Sequence, residues 1–376
     1  MLLGDLGAEV IKLERVGIGD DTREWVPPDI NGQSCYFLAV NRNKKSIAVD
    51  LKSDEGRKIA LAISKHSDVI VENFLPGTVD KYGLSYDKVS AINHRLIYCS
   101  ITGFGPTGPY AKRGGYDLVA AALGGLLHST GPQNGEPCKP AVALTDITTG
   151  LYAKGAILAA LYERTQTGVG QKIDCNLLST QVATMINLAS NYLNTGKDAQ
   201  RWGTAHESIV PYQTYRTKDG YFLVAGGNDK LFKELCFLLN RSEWLNNSRF
   251  KTNADRVKNR EMLNEELSNL FSTKTNSEWS SVFETSSIPF GPVNNLKDVF
   301  NDPQVIHNNL SRTMKHPITG DVRVVGPAVN YSGIEQNLRI PPPLLGEHTA
   351  EVLQQLLHYN HDEIKRLQVN GVIQCR

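Results

Sequence analysis

The sequence predicts an α/β protein. We expect an open, parallel, Rossmann-like sheet in a large discontinuous domain, plus a smaller α+β domain. Three observations lead there. The first half alternates short β-rich runs with amphipathic stretches. Glycine is frequent, at 32, while aromatics are sparse, at 8%, a mix that suits many tight strand–helix turns. The texture changes after about residue 195 and returns to strand and helix near the end.

The elements follow in order. Met1-Leu2-Leu3-Gly4-Asp5-Leu6-Gly7 is a half-turn of apolar helix that runs into a strand, Ala8-Glu9-Val10-Ile11-Lys12-Leu13-Glu14. That order reads as the second strand of a βαβ unit. Its first strand, and any targeting peptide, are expected upstream. Lys45 to Leu51 alternates like a strand, and Lys52 to His66, with apolar residues at Ile59, Leu61, Ala62 and Ile63 among charges, reads as a helix. Asp68-Val69-Ile70-Val71 and Leu96 to Ile101 read as buried strands around a short helix, Tyr86 to Ile92. Ile147 to Arg164 is a long apolar helix stopped by Thr167-Gly168-Val169-Gly170, and Gln171 to Leu177 is a strand. Strands separated by such helices predict a parallel sheet covered on both faces, with ligands at the strands' carboxyl ends. Gly196 to Ser208 reads as a linker. Tyr212 to Gly226 reads as a hairpin turning at Lys218-Asp219-Gly220. Helices are expected at Phe232 to Leu239, at Arg256 to Phe271 and from Thr349, after a strand at Val322 to Val325. The domains are therefore expected at 1–195 for the first part of the large one, 205–305 for the small one, and 320–376 for the return.

Charge excludes some functions. Lys+Arg number 40 against 39 Asp+Glu, a balance that offers nucleic acid no basic field. No stretch approaches the ~18 apolar residues of a membrane helix. The six cysteines form no CxxC pair and no Cys/His cluster with metal spacing, so free thiols and no metal are expected. There is no G-x-G-x-x-G, no G-x-x-x-x-G-K-[ST], no H-E-x-x-H and no G-x-S-x-G.

Five local signatures remain. Glu72-Asn73-Phe74-Leu75-Pro76-Gly77 follows one strand, and Ile101-Thr102-Gly103-Phe104-Gly105-Pro106-Thr107-Gly108-Pro109-Tyr110 follows another. Gly115-Tyr116-Asp117 opens a helix, and Asp146 precedes the long helix. Pro343-Leu344-Leu345-Gly346-Glu347-His348-Thr349 lies near the end. Singly, Gly and Pro clusters are turns and an aspartate before a helix is a cap. In this order and spacing they resemble the class III CoA-transferases, the family of formyl-CoA and carnitine CoA-transferases and α-methylacyl-CoA racemase. The resemblance runs from LGAEVIKLE to PPLLGEHT.

The resemblance implies an interlocked ring dimer and a CoA-transferase acting on small dicarboxylates. Succinyl-CoA is the implied donor, glutarate the implied acceptor, and coenzyme A enters as the substrate thioester. It implies a mitochondrial location. It places the catalytic aspartate on Asp146, where a carboxylate attacks a thioester and then carries CoA as an aspartyl thioester. The start of a helix is expected to keep that carboxylate ionised. CoA-binding positions fall on Arg23, Val49, Lys52, Asn73, Phe74, Lys81 and Tyr116. A basic contact two residues before Tyr116 in some members is Gly114 here, leaving Lys112 or Arg113 to substitute. Leu75 stands where many members have arginine. A mobile glycine loop over the acyl site falls near Gly203-Thr204-Ala205-His206-Glu207-Ser208, with His206 and Glu207 as candidate acyl contacts. Glu347 and His348 read as structural. Two other readings stay open. Racemisation needs a histidine base, whose place Tyr116 takes, and a phenol titrating near ~10 is a poor base. An inactive CoA-binding protein is the other, given the strand expected upstream.

Overall fold

The computed structural model describes all 376 residues. It is a mixed α/β structure of two units. Unit 1 comprises Met1–Gly124, Val142–Ile186 and Asp302–Arg376, and unit 2 comprises Gly125–Ala141 and Asn187–Asn301. The division differs from the expected bounds: 125–141 and 187–195 fall in unit 2, and 302–305 falls in unit 1. The Gly203 amide donates to the Gly131 carbonyl at 2.8 Å, and Arg201 donates to the His128 and Gly135 carbonyls at 2.7 and 2.9 Å.

Unit 1 holds two three-stranded sheets rather than one continuous one. In the first, β1 (Ile11–Glu14) runs parallel to β2 (Lys45–Val49), with Ile11 opposite Lys45. The strand Ile373–Gln374 closes its other edge antiparallel. Ser53 starts α1 (Asp54–Lys65) by accepting the Gly56 amide at 3.0 Å. That helix lays Ile59 and Ile63 on Ile47 and Val49, where Val352, Leu353, Ile364, Leu367 and Ile373 of the last segment complete the core. Each such side chain contributes about 1.5–3 kcal/mol on burial.

The second sheet is all parallel: β3 (Val69–Glu72), β4 (Ile97–Thr102) and β5 (Lys172–Asn176), with β4 in the middle. The connections are α2 (Tyr86–Ile92) between β3 and β4, and α3 (Asp117–Leu123) with α4 (Leu144–Thr167) between β4 and β5. After β5 comes α5 (Leu177–Thr184), capped by the Asn176 side chain on the Ser179 amide at 2.7 Å. Along α4 the buried residues are Thr145, Thr149, Ala153, Ile157 and Ala160. These mostly small residues, three or four apart, let the helix lie close on Cys99, Ile173 and Cys175 of β4 and β5. Gly168, left-handed at φ 74°, ends the helix as the sequence predicts. The start differs. The helix begins at Leu144, so Asp146 is the third residue of its first turn and not its cap.

Unit 2 is an antiparallel sheet with helices. The hairpin Tyr212–Arg216 and Tyr221–Ala225 turns where the sequence predicts, and Phe290–Pro292 adds a third strand. The helix expected over Arg256 to Phe271 is broken at Asn259 into Asn253–Lys258 and Arg260–Phe271. Its core is aromatic, with Phe271 stacked at 4.9 Å on Tyr215 and 4.6 Å from Trp279. Within it the Arg256 guanidinium is fully buried, donating to the Val210, Phe250 and Gly227 carbonyls and to Asp229.

Candidate active site

The site is assembled by the loop after β4. Its two ends pinch together at Gly103 and Gly115. A Cβ on Gly103 would sit 2.6 Å from the Gly115 Cα, and one on Gly115 would sit 2.4 Å from the Gly103 Cα. Only two glycines allow backbones this close. The pinch delivers Tyr116 and Asp117 to the start of α3, beside the start of α4.

There α4 lacks a cap of its own, since Ala143 precedes it and offers no side-chain acceptor. Other elements supply what is missing. The Asp117 carboxylate accepts the Asp146 amide at 3.0 Å. The Thr145 hydroxyl, wholly buried, donates to the buried Gln181 side chain of α5 at 2.7 Å. The Leu144 and Ile147 amides go to the Val142 and Ala143 carbonyls. The first turn of α4 is thus clamped from two neighbouring helices, and the Asp146 carboxylate projects from it exposed and without an ion-pair partner. Burial of its inner side, and then the Asp117 charge, push the Asp146 carboxyl up to about 6. Its open face to water screens part of that push. A helix start alone would instead push the carboxyl down. A helix start favours the anion, but here its positive end is already met by Asp117.

The predicted CoA contacts separate into two groups. Lys52 lies exposed just after β2, with no ion pair. Asn73 and Phe74 are exposed on the loop after β3, where the Phe74 amide donates to Glu72 at 2.8 Å and its ring meets Tyr82 edge-on at 6.1 Å. Lys81 follows, exposed and unpaired, and Tyr116 is 74% exposed. These side chains are available to a ligand. Two are not. Val49 is 1% exposed in the first sheet's core, so its side chain is closed to CoA. Arg23 is committed internally: Nε and Nη2 clasp the buried Glu14 carboxylate at 2.8 and 2.7 Å, and Nη1 and Nη2 reach the Pro343 carbonyl. Its guanidinium also lies 3.8 Å over the Phe37 ring. The sequence expects a phosphate-reaching arginine here; in this structure the guanidinium is engaged by Glu14 at the end of β1. Burial raises the Glu14 carboxyl, but hydrogen bonds from Arg23 and Ser46 outweigh it and hold the group below the usual range. Of the two substitutes for Gly114, Arg113 stacks at 4.4 Å on Tyr110, while Lys112 is exposed.

In unit 2, the loop expected to be a mobile lid is tied along its length. Arg260 stacks at 4.4 Å on Trp202 and donates to the His206 and Glu207 carbonyls. The His206 amide reaches the Tyr212 carbonyl at 3.0 Å, and its ring stacks on Tyr212 at 5.6 Å. Glu207 pairs with Lys197 at 2.7 Å. One glycine, Gly203, leaves little freedom against these tethers. The LGEHT segment is structural, as read. The Thr349 hydroxyl accepts the Ala48 amide at 3.0 Å, the His348 amide donates to the Ser46 carbonyl at 2.9 Å, and Glu347 accepts the Leu344 amide at 2.7 Å. Asp117 and Gln181 are the residues that sequence reasoning missed as site residues. The available signal was Ala143, a non-capping residue at the start of a long helix.

The model of CoA-transferase family III matches residues 1–349. The succinyl-CoA:glutarate CoA-transferase of Homo sapiens is 52% identical over 99% of this chain and 85% of its own length. The chain belongs to CoA-transferase family III. As a family III enzyme it is a CoA-transferase, and family members of this kind take CoA thioesters as substrates. The succinate–glutarate CoA-transferase of Agrobacterium fabrum is 39% identical over 94% of the chain and 90% of its own length. Among solved structures, a CAIB/BAIF family protein from Brucella suis superposes with a TM-score of 0.84 at 42% identity, covering 94% of this chain and 93% of that one. The family III assignment accounts for the motif order from LGAEVIKLE to LGEHT.

Proposed function

We propose that the enzyme moves CoA from succinyl-CoA to glutarate through a covalent intermediate on Asp146. The observation that carries the covalent part is the Asp146 carboxylate: exposed, unpaired, and projecting from a clamped helix turn. Though raised to about 6, its acidity still leaves the carboxylate as the main form at pH 7. In the first step an Asp146 oxygen bonds to the thioester carbonyl carbon and the C–S bond breaks. The products are a mixed anhydride and CoA thiolate. The thiolate attacks the Asp146 carbonyl carbon, releasing succinate and leaving an aspartyl-CoA thioester. Glutarate repeats the sequence in reverse and leaves as glutaryl-CoA, restoring the Asp146 carboxylate. Splitting one exchange into these steps is what covalent catalysis supplies. The choice of acids follows the names of the human and Agrobacterium relatives. For CoA itself, Lys52 and Lys81 supply charge to the phosphates, and Asn73, Phe74 and Tyr116 flank the rest.

A homodimer belongs to the same reading. On α4 the face opposite the sheet carries Leu144, Ile147, Leu151, Leu158 and Tyr162, all more than a third exposed and spaced three, four or seven apart. A solvent-facing stripe of this length favours a partner helix surface. The mitochondrial location rests on the family resemblance, and fractionation of the source cell tests it.

The test is incubation with succinyl-CoA and glutarate, with mass spectrometry for glutaryl-CoA, beside Asp146→Asn. Glutaryl-CoA from the parent alone supports both the reaction and the nucleophile. Equal product from both removes Asp146 from the mechanism. Product with another acceptor in place of glutarate overturns the acid pair. Racemisation is the weaker reading, since the only side chain at the histidine position is Tyr116, and deuterium uptake at the α-carbon of a branched acyl-CoA would reveal it.

A further inference from the structure

We infer that Asp117 is a positioning residue for Asp146: its carboxylate replaces the missing cap of α4, holding the Asp146 amide, and sets a negative charge behind the attacking carboxylate. The inference rests on the reading of Asp146 as nucleophile. Three observations carry it. Ala143 cannot cap the helix. The Asp146 amide donates to Asp117 at 3.0 Å. The loop that brings Asp117 there is closed by the Gly103–Gly115 contact, so its position is built in.

The charge has a direct chemical consequence. When Asp146 attacks, negative charge leaves its oxygens for the thioester oxygen and then for the departing thiolate. In the aspartyl thioester the side chain is neutral. A neighbouring anion destabilises the charged start more than the neutral acyl state, so it favours the transfer of charge. It also occupies the helix end that would otherwise stabilise the resting carboxylate and dull its nucleophilicity. The like charge raises Asp146's proton affinity in the same direction. Charged groups elsewhere do not compete. The elements packed on α4 bring Tyr98 and Cys99 on β4, Lys172, Asp174 and Cys175 on β5, and no titratable residue on α5, and α4's own next charge is Lys154. Asp117 is the one charge felt at Asp146.

The test uses Asp117→Asn, which keeps an oxygen acceptor and removes the charge, and Asp117→Ala, which removes both. Each is compared with the parent for glutaryl-CoA formation across pH and for the CoA adduct on the Asp146 peptide after succinyl-CoA alone. We expect Asp117→Asn to lower kcat about 3- to 10-fold and to move the acid limb of kcat/KM down by about half to one pH unit. Asp117→Ala should lower kcat about 10- to 100-fold, with Asn recovering part of the loss. Thermal midpoints identify any variant that fails to fold. An adduct in the parent with an unmoved acid limb in Asp117→Asn overturns the inference. Absence of any Asp146 adduct in an active parent overturns instead the nucleophile reading beneath it.

Discussion

Replacing Gly103 by alanine tests whether the pinched loop delivers the site. Gly103 does not need a left-handed backbone, so alanine brings no torsional penalty there. What it brings is a methyl 2.6 Å from the Gly115 Cα and 3.1 Å from its nitrogen. Carbon atoms rest comfortably at about 3.5–4.0 Å, so the two backbones must part by roughly 1 Å. Forcing atoms into a filled space costs about 1–3 kcal/mol, which at this domain size lowers the melting temperature by about 2–4 °C per kcal/mol. The displaced strand of loop carries Tyr116 and Asp117, and Asp117 sits at hydrogen-bond distance from the Asp146 amide with no slack to absorb the shift. A misplacement near 1 Å costs on the order of 10²-fold in rate. The assay is glutaryl-CoA formation beside thermal unfolding, with Gly114→Ala as control, since a methyl there meets nothing within 4 Å. Gly103→Ala at parental rate and parental midpoint would refute the reasoning.

Two further expectations follow from the sorting of the basic residues. Arg23→Met should leave Glu14 buried without its ion-pair partner, destabilising the fold by about 3–5 kcal/mol with little change in KM for the thioester. Because the folded-state Glu14 carboxyl lies below its usual range, the stability it adds is present at neutral pH and is lost as pH falls through that depressed pKa. The parent's midpoint should therefore drop in acid, and Arg23→Met should flatten that drop. An unchanged midpoint with a many-fold higher KM would return Arg23 to the phosphate. Lys52→Ala with Lys81→Ala should raise KM for succinyl-CoA by about 5- to 30-fold, less at high salt, and leave the glutarate KM alone. A salt-independent effect would remove both lysines from phosphate binding.

Most elements were legible in the sequence because alternation and helical spacing report burial directly, as in Lys45 to Val49 and α1. The failures have physical sources. The long helix was started three residues late because Leu144, Thr145 and Asp146 look like strand end and cap, and only the trans-capping by Asp117 reveals the extra turn. The helix break at Asn259 was missed because the apolar spacing passes through it unchanged. In the candidate site, motif order singled out Asp146, whose carboxylate the structure leaves exposed and unpaired. The internal partners of Arg23 and Val49 were not legible, because sequence gives no sign of where a side chain's neighbours lie: Pro343, 320 residues from Arg23, and Ile373, opposite Val49, come from the far end of the chain. Gln181 was invisible for the same reason, 36 residues from Thr145.

The three-segment make-up of unit 1 has a consequence during synthesis. Most of unit 2 is one run, 187–301, and leaves the ribosome before Asp302–Arg376 has been translated. At typical elongation speeds that last segment takes roughly 4–15 s to appear. Through that interval the nascent chain carries a first sheet with one edge of β2 unpaired and with Ile47, Val49, Ile59 and Ile63 lacking half their cover. Loss of the final fifteen residues would remove Ile364, Leu367, Val372 and Ile373, opening that core while sparing every residue of unit 2 and Asp146 itself.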